Sequence, residues 1–282
     1  MITSLQKLED GTITISITLP NDLLKKTFEE ELDEALKTAV LPGFRKGKAP
    51  KKLVEEKIDK GKLQEKILQK LIPQAYIEAV KQHNLKPIIN PKIQIVPEAV
   101  KIEKIDKGED WQFTAVTCEA PVISLASYKE AIKKLTAKSK IIVPGKEQEK
   151  VKIEDIVTEL MKNADCKIPK ILIDQEVERL LSQFLDDIKK LGMTLDQYLA
   201  GSGKTADALR KEYEEKAEGD IKLEFLLQKI ADEEKIVVEE KEIEEAIQKA
   251  KDEKEKENLK SNRYLLAAIL KQQKTLDFLR NL

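Results

Sequence analysis

The sequence predicts an α+β protein in two parts: an N-terminal α+β domain with a small antiparallel sheet, then an all-α C-terminal domain. Three observations carry this. Eight of ten Pro lie at or before Pro121 and none follows Pro169, so the last 113 residues can hold long uninterrupted helices. Thr12-Ile13-Thr14-Ile15-Ser16-Ile17-Thr18 alternates strictly between hydroxyl and apolar residues, the pattern of a strand with one buried face. From about Lys146 onward, apolar residues recur instead at helical spacing. The expected boundaries are a domain over 1–121, a linker over 122–146 and a helical domain over 147–282.

In chain order, Asp10-Gly11 joins Ile2–Leu8 to Thr12–Leu19 as a hairpin. Asn21 is placed to cap a helix from about Asp22 to Val40, with Leu24, Phe28, Leu32, Leu36 and Ala39 on one stripe. A loop over Leu41–Pro50 and a short helix lead to a long helix from about Lys62 to Gln82. Its stripe is Leu63, Ile67, Leu71, Ala75 and Ala79. Strands follow at Lys92–Val96 and Trp111–Cys118, with a third expected around Val100–Ile105. The helical part reads as Lys146–Lys162, Lys170–Leu191, Leu195–Leu199, Thr205–Ala231, Glu239–Glu255 and Leu259–Asn281, with Gly192 as a stop signal.

Composition excludes several classes of protein. Charged residues are 37% of the chain, but Lys+Arg 51 against Asp+Glu 52 leaves a net charge of −1, which argues against a globally basic nucleic-acid binder. Cys118 and Cys166 lie far apart in no paired motif, so neither a disulfide scaffold nor a cysteine metal site is expected. With His83 as the single histidine, no histidine-ligated metal cluster can form within one chain. No secretory signal is visible at the N-terminus. The longest apolar run, Tyr264–Leu270, is seven residues, against the roughly 18 that suggest a membrane span. A cytoplasmic protein without membrane attachment is the expectation. Gly201-Ser202-Gly203-Lys204-Thr205 ends like a phosphate-binding loop, but Tyr198 stands where that pattern needs Gly. The stretch is read instead as an inter-helix turn with Thr205 as N-cap.

The most informative stretch is Pro42-Gly43-Phe44-Arg45-Lys46-Gly47-Lys48-Ala49-Pro50. Between Leu36 and Val54 there is no acidic residue, while Lys37, Arg45, Lys46, Lys48, Lys51 and Lys52 supply six positive charges. Gly43 and Gly47 permit sharp turns and Pro50 fixes the exit. Arg45 is the only Arg among the first 178 residues. Its guanidinium can grip a carboxylate or phosphate with two hydrogen bonds, where Lys is a point charge. A solvated loop with Phe44 folded onto the core is the bland alternative.

Gly-Phe-Arg-Lys-Gly-Lys-Ala-Pro, preceded by Leu-Pro, resembles the ribosome-binding signature of bacterial trigger factor, the chaperone of the polypeptide exit tunnel. The resemblance continues through Ile168-Pro169, Ile173–Leu180, Lys229–Val238 and Lys274–Leu279. It implies ribosomal contacts by Gly43, Phe44, Arg45, Lys46, Gly47, Lys48 and Pro50. The implied partners are ribosomal protein and rRNA at the exit tunnel, together with nascent or unfolded polypeptides. It also implies a weak homodimer. Family members usually carry an FKBP-like peptidyl-prolyl isomerase domain between the two parts. A domain needs at least about 50 residues, and the stretch between Tyr128 and the Ile168-Pro169 motif leaves no room for one. A shortened, non-enzymatic form is therefore expected, working without ATP, metal or other cofactor. Phe184, Tyr264, Leu265, Ile269 and Phe278 are the candidate client contacts, although the all-round apolar Tyr264–Leu270 also suits packing between helices. The alternatives are retained isomerase activity and a structured-RNA-binding protein with no chaperone role.

Overall fold

A computed structural model describes residues 2–39, 44–45, 50, 53, 57–139, 152–250 and 252–282. They form two compact units, 1–120 and 121–282.

In the first unit, β1 (Ile2–Lys7) and β2 (Thr12–Leu19) pair as an antiparallel hairpin. Its turn is closed by Asp10, whose carboxylate accepts from the Thr12 amide at 2.9 Å and from the Thr12 hydroxyl at 2.8 Å. Gly11 holds φ 88°, open to a residue without a Cβ. The chain then forms α1 (Asn21–Thr38) and α2 (Lys60–Gln82). β3 (Lys92–Gln94), a 3₁₀ turn (Pro97–Val100), α3 (Ile102–Asp106) and β4 (Trp111–Cys118) complete the unit. Sheet order is β1-β2-β4-β3, all antiparallel. Register places Ile13, Ile15, Ile17 and Leu19 on one face with Ala115, Phe113 and Trp111, all buried. Against them pack Leu24 of α1 and all five stripe residues of α2.

Two expectations need correction here. Residues 100–105 are not a strand. Pro97 starts a 3₁₀ turn, its fixed φ suiting a helical first position, and Val100, Ile102 and Ile105 are buried from helical turns. Nor does Asn21 cap α1: Pro20 holds that position with no side-chain bond. The Asn21 amide nitrogen donates instead to the carbonyls of Ile105 (2.9 Å) and Glu109 (3.1 Å), tying the helix start to the turn before β4.

In the second unit, β5 (Ile123–Leu125) pairs with β6 (Ala164–Cys166), and α4 (Tyr128–Ser139) packs with α5 (Ile153–Lys162). Residues 123–139 of the stretch expected as a linker are therefore structured; the rest of it, from 140, lies outside the described residues. There follow α6 (Lys170–Lys190), α7 (Leu195–Ser202), α8 (Ala206–Glu233), α9 (Glu240–Gln248), α10 (Glu253–Ser261) and α11 (Arg263–Arg280). Gly192 sits at φ 74° after α6. Its amide bonds the Lys189 carbonyl while that of Met193 bonds Ile188, a Schellman stop. The helix expected over 239–255 is two helices, because the Asp252 side chain accepts from the Glu255 amide at 2.7 Å and starts a new one. Leu191, expected as the last residue of this helix, lies just beyond its end and is exposed.

Candidate functional site

The basic loop lies in sequence between α1 and α2. These two helices are tied by Lys70, whose ammonium reaches Glu30 at 2.8 Å and Glu31 at 3.3 Å. That hydrogen bond holds the Glu30 carboxyl below its ordinary range and raises the Lys70 ammonium. At the far side, the Asp59 carboxylate accepts from the amides of Gly61 (3.0 Å) and Lys62 (3.3 Å), capping α2. The two helices that flank the loop in sequence are thus fixed to each other. Of the predicted contacts, Phe44, Arg45 and Pro50 are described and all are exposed, Phe44 at 40%. Phe44 is absent from the core cluster, so the bland alternative for it does not hold. Gly43, Lys46, Gly47 and Lys48 lie outside the described residues.

The candidate client residues separate into two groups. Tyr264, Leu265 and Ile269 stand on the exposed side of α11 at 90%, 60% and 51% accessibility. With exposed Ala268 they make an uncharged ridge two turns long. Phe278, on the same helix, packs onto the second core cluster. Phe184 is half-buried in an aromatic trio that the sequence reading missed. Its ring meets Tyr198 edge-on at 4.8 Å and Tyr213 at 5.8 Å. Exposed Leu185, Leu191 and Met193 lie on α6 and just past its end. The three rings are contributed by α6, α7 and α8, and no single-helix periodicity would have joined them.

Other chemistry is bland. Burial pushes the Cys118 thiol up to about 11 and also raises Cys166, so neither is an activated nucleophile. His83 caps α2 and meets the Thr3 hydroxyl at 2.9 Å. Gly203 ends α7 in the left-handed region and the Thr205 hydroxyl accepts from the Ala208 amide, an inter-helix turn as expected. Among the described residues there is no group of three metal-ligating side chains, and no helix is long and apolar enough to cross a membrane.

The family model described as bacterial trigger factor protein matches residues 1–161, and that for the trigger factor C-terminus matches 124–281. The two ranges overlap and leave no segment between them. The trigger factor of Natranaerobius thermophilus is 20% identical over 407 positions, covering 94% of this chain and 90% of that protein. An alignment so much longer than 282 residues means that the relative carries a long stretch with no counterpart here. The trigger factor of Caldanaerobacter subterraneus subsp. tengcongensis is 38% identical over 130 residues, 45% of this chain and 28% of that one. That of Lactococcus lactis (strain IL1403) is 30% identical over 130 residues, 46% of this chain and 29% of that one. A solved trigger factor chaperone, described for promiscuous substrate recognition in folding and assembly, shares the fold. Its TM-score is 0.65 at 13% identity, over 100% of this chain and 99% of that one.

The class so defined is a chaperone fold, an α+β unit carrying a basic loop followed by a helical unit. The chain belongs to the trigger factor family of ribosome-associated chaperones, in a form without the isomerase domain.

Proposed function

We propose that this chain docks on the ribosome through the Gly43–Pro50 loop and holds nascent polypeptides on apolar surfaces of its helical unit. It works in the cytoplasm as a non-enzyme, without ATP or cofactor. The observation that carries the reading is an exposed Phe44-Arg45 pair, in sequence between two helices tied together by Lys70. Arg45 and Lys46 contact rRNA phosphate or a ribosomal-protein carboxylate, and Phe44 enters an apolar pocket beside them. Gly43, Gly47, Lys48 and Pro50 shape and charge the loop. Clients are held on Tyr264, Leu265 and Ile269 of α11, with Phe278 anchoring that helix and Phe184 packing α6 against α7 and α8 beside exposed Leu185. Burial of apolar area is non-directional, so it suits clients of varied sequence. Off the ribosome, a weak homodimer covers part of the same surfaces.

The test is ribosome co-sedimentation of the Phe44→Ala/Arg45→Ala/Lys46→Ala variant across a salt series. Binding falls at least about tenfold if two phosphate contacts and an apolar anchor are lost, and its salt dependence flattens. Undiminished binding would overturn the loop assignment. A proline-peptide assay at background rate, together with suppression of aggregation of an unfolded protein, separates this reading from an isomerase and from a plain RNA binder.

A further inference from the structure

We propose that α9 and α10 form a displaceable flap over α11, and that opening it extends the client surface to the far side of that helix. The inference rests on the client reading above and deepens it. Tyr264–Leu270 is apolar on every side of the helix, so any one packing arrangement satisfies only part of it. Tyr264, Leu265 and Ile269 face solvent. Leu266, Ala267 and Leu270 face Ile243 and Ile247 of α9, with Val238, Ala246 and Leu259 at the edge.

This cluster has the fewest buried members of the three found among the described residues. None of its three buried members, Ile243, Ile247 and Leu266, is fully buried, at 7%, 5% and 9% exposure, whereas the neighbouring cluster has a fully enclosed centre in Leu160, Leu226, Ile230 and Leu279. α10 has no buried residue at all. Segments with so few buried apolar contacts are those that open first. The flap is fastened by charge: Glu240 pairs with Arg263, and the Glu242 carboxylate accepts from Lys274 at 2.9 Å through both oxygens.

α11 does not depend on the flap. Its residues in the larger cluster, Leu276, Phe278 and Leu279, all follow Lys271, while its residues in the small cluster all precede it. Lys271 itself pairs with Asp232 at the end of α8 at 2.7 Å. Opening therefore leaves α11 anchored by its C-terminal half and bares Leu266, Ala267 and Leu270 alongside the exposed ridge. The occupant is an apolar segment of an unfolded polypeptide, long enough to wrap the helix. A client that binds only the open form pays the cost of opening, so its apparent affinity rises with the open fraction.

The experiment uses the full chain and changes only the flap. Hydrogen exchange should show amides of 240–261 opening at least about tenfold more readily than those of α8. Glu240→Gln/Glu242→Gln takes the charge out of both fastenings and leaves the residues of α11 unchanged. It should speed exchange in 240–261 alone and tighten capture of a reduced, permanently unfolded test protein several-fold. Ala246→Leu, which adds apolar contact under the half-buried edge of the flap, should slow that exchange and weaken capture. Exchange in 240–261 as slow as in α8, or capture indifferent to both changes, overturns the flap. Capture absent from wild type and both variants overturns the client reading itself.

Discussion

Replacing Lys235 by Gly should stabilise the protein. Lys235 follows α8 at φ 55°, in the left-handed region. It occupies the residue after the helix cap in a Schellman stop, its amide bonding the Asp232 carbonyl at 3.3 Å while the Ile236 amide bonds Ala231 at 2.8 Å. The same stop closes α6, where the equivalent residue is Gly192, and α2, where it is Asn84 at φ 50°. The Lys235 side chain is exposed and makes no ion pair among the described residues, so its loss removes no contact. A side chain with a Cβ in this region costs about 1–2 kcal/mol. Glycine returns about 0.5–1 kcal/mol of that through the greater freedom of the unfolded chain. The net gain is about 0.5–1 kcal/mol, or about 1–4 °C in Tm for a unit of this size. Thermal unfolding followed by circular dichroism reads it, with Lys235→Ala as the control, because alanine keeps the strain. An equal gain from Lys235→Ala, or a loss from Lys235→Gly, would refute the strain argument.

Ile67 lies fully buried between α2 and the sheet, and Ile67→Ala should cost about 3 kcal/mol, read as a lower denaturant midpoint at unchanged slope. Ile77, 52% exposed on the same helix, should tolerate Ala within about 0.5 kcal/mol. The Glu119 carboxylate accepts from the Lys86 amide at 2.8 Å and from Lys7 at 3.0 Å, which together hold its pKa below the usual value. Its contribution is complete above the unfolded carboxyl pKa of about 4.3 and is lost as pH falls through the lower folded value. Glu119→Gln should therefore lower Tm at pH 7 and match wild type once the Glu119 carboxyl of wild type is protonated in both the folded and the unfolded state. A pH-independent difference would refute the linkage. Tyr264→Ser/Leu265→Ser/Ile269→Ser should leave Tm within a few degrees of wild type, since all three side chains are exposed, and reduce suppression of aggregation several-fold. Unchanged suppression would remove the ridge from the client surface.

The parts of the fold legible in the sequence are those governed by period and punctuation. The α2 stripe of Leu63, Ile67, Leu71, Ala75 and Ala79 is buried as its spacing predicts, because one face of a long helix meets one surface. β4 runs from Trp111 to Cys118 as read, its alternation matched by β2 across the ladder. What was illegible depends on partners distant in sequence. Asn21 abandons a cap it is well suited to make because the carbonyls of Ile105 and Glu109 need its donor. Residues 102–106 turn helical through burial against the same unit. On α11, Phe278 and Tyr264 look alike in sequence, yet Phe278 packs on a core cluster and Tyr264 faces solvent. For the loop, motif and charge were visible at once; the exposure of Phe44 required the structure.

Arginine usage sharpens the case for that loop. The chain has five Arg among 51 basic residues, and the structure shows what three of them do. Arg179 grips Glu176 with two hydrogen bonds, at 2.8 and 2.6 Å; Arg210 pairs with Glu214 at 3.3 Å; Arg263 pairs with Glu240. Each spends its guanidinium on a carboxylate of its own chain. Arg45 has no such partner among the described residues, and no acidic residue lies within eight positions on either side of it. In a merely solvated loop, a fork-shaped cation with no partner among the described residues would do nothing that the Lys this chain uses almost everywhere could not do as well. It is what a bidentate contact with an external carboxylate or phosphate requires. The substitution that isolates this point is Arg45→Lys: it preserves charge and loop shape, and it should still weaken ribosome binding if geometry, rather than charge alone, is being used.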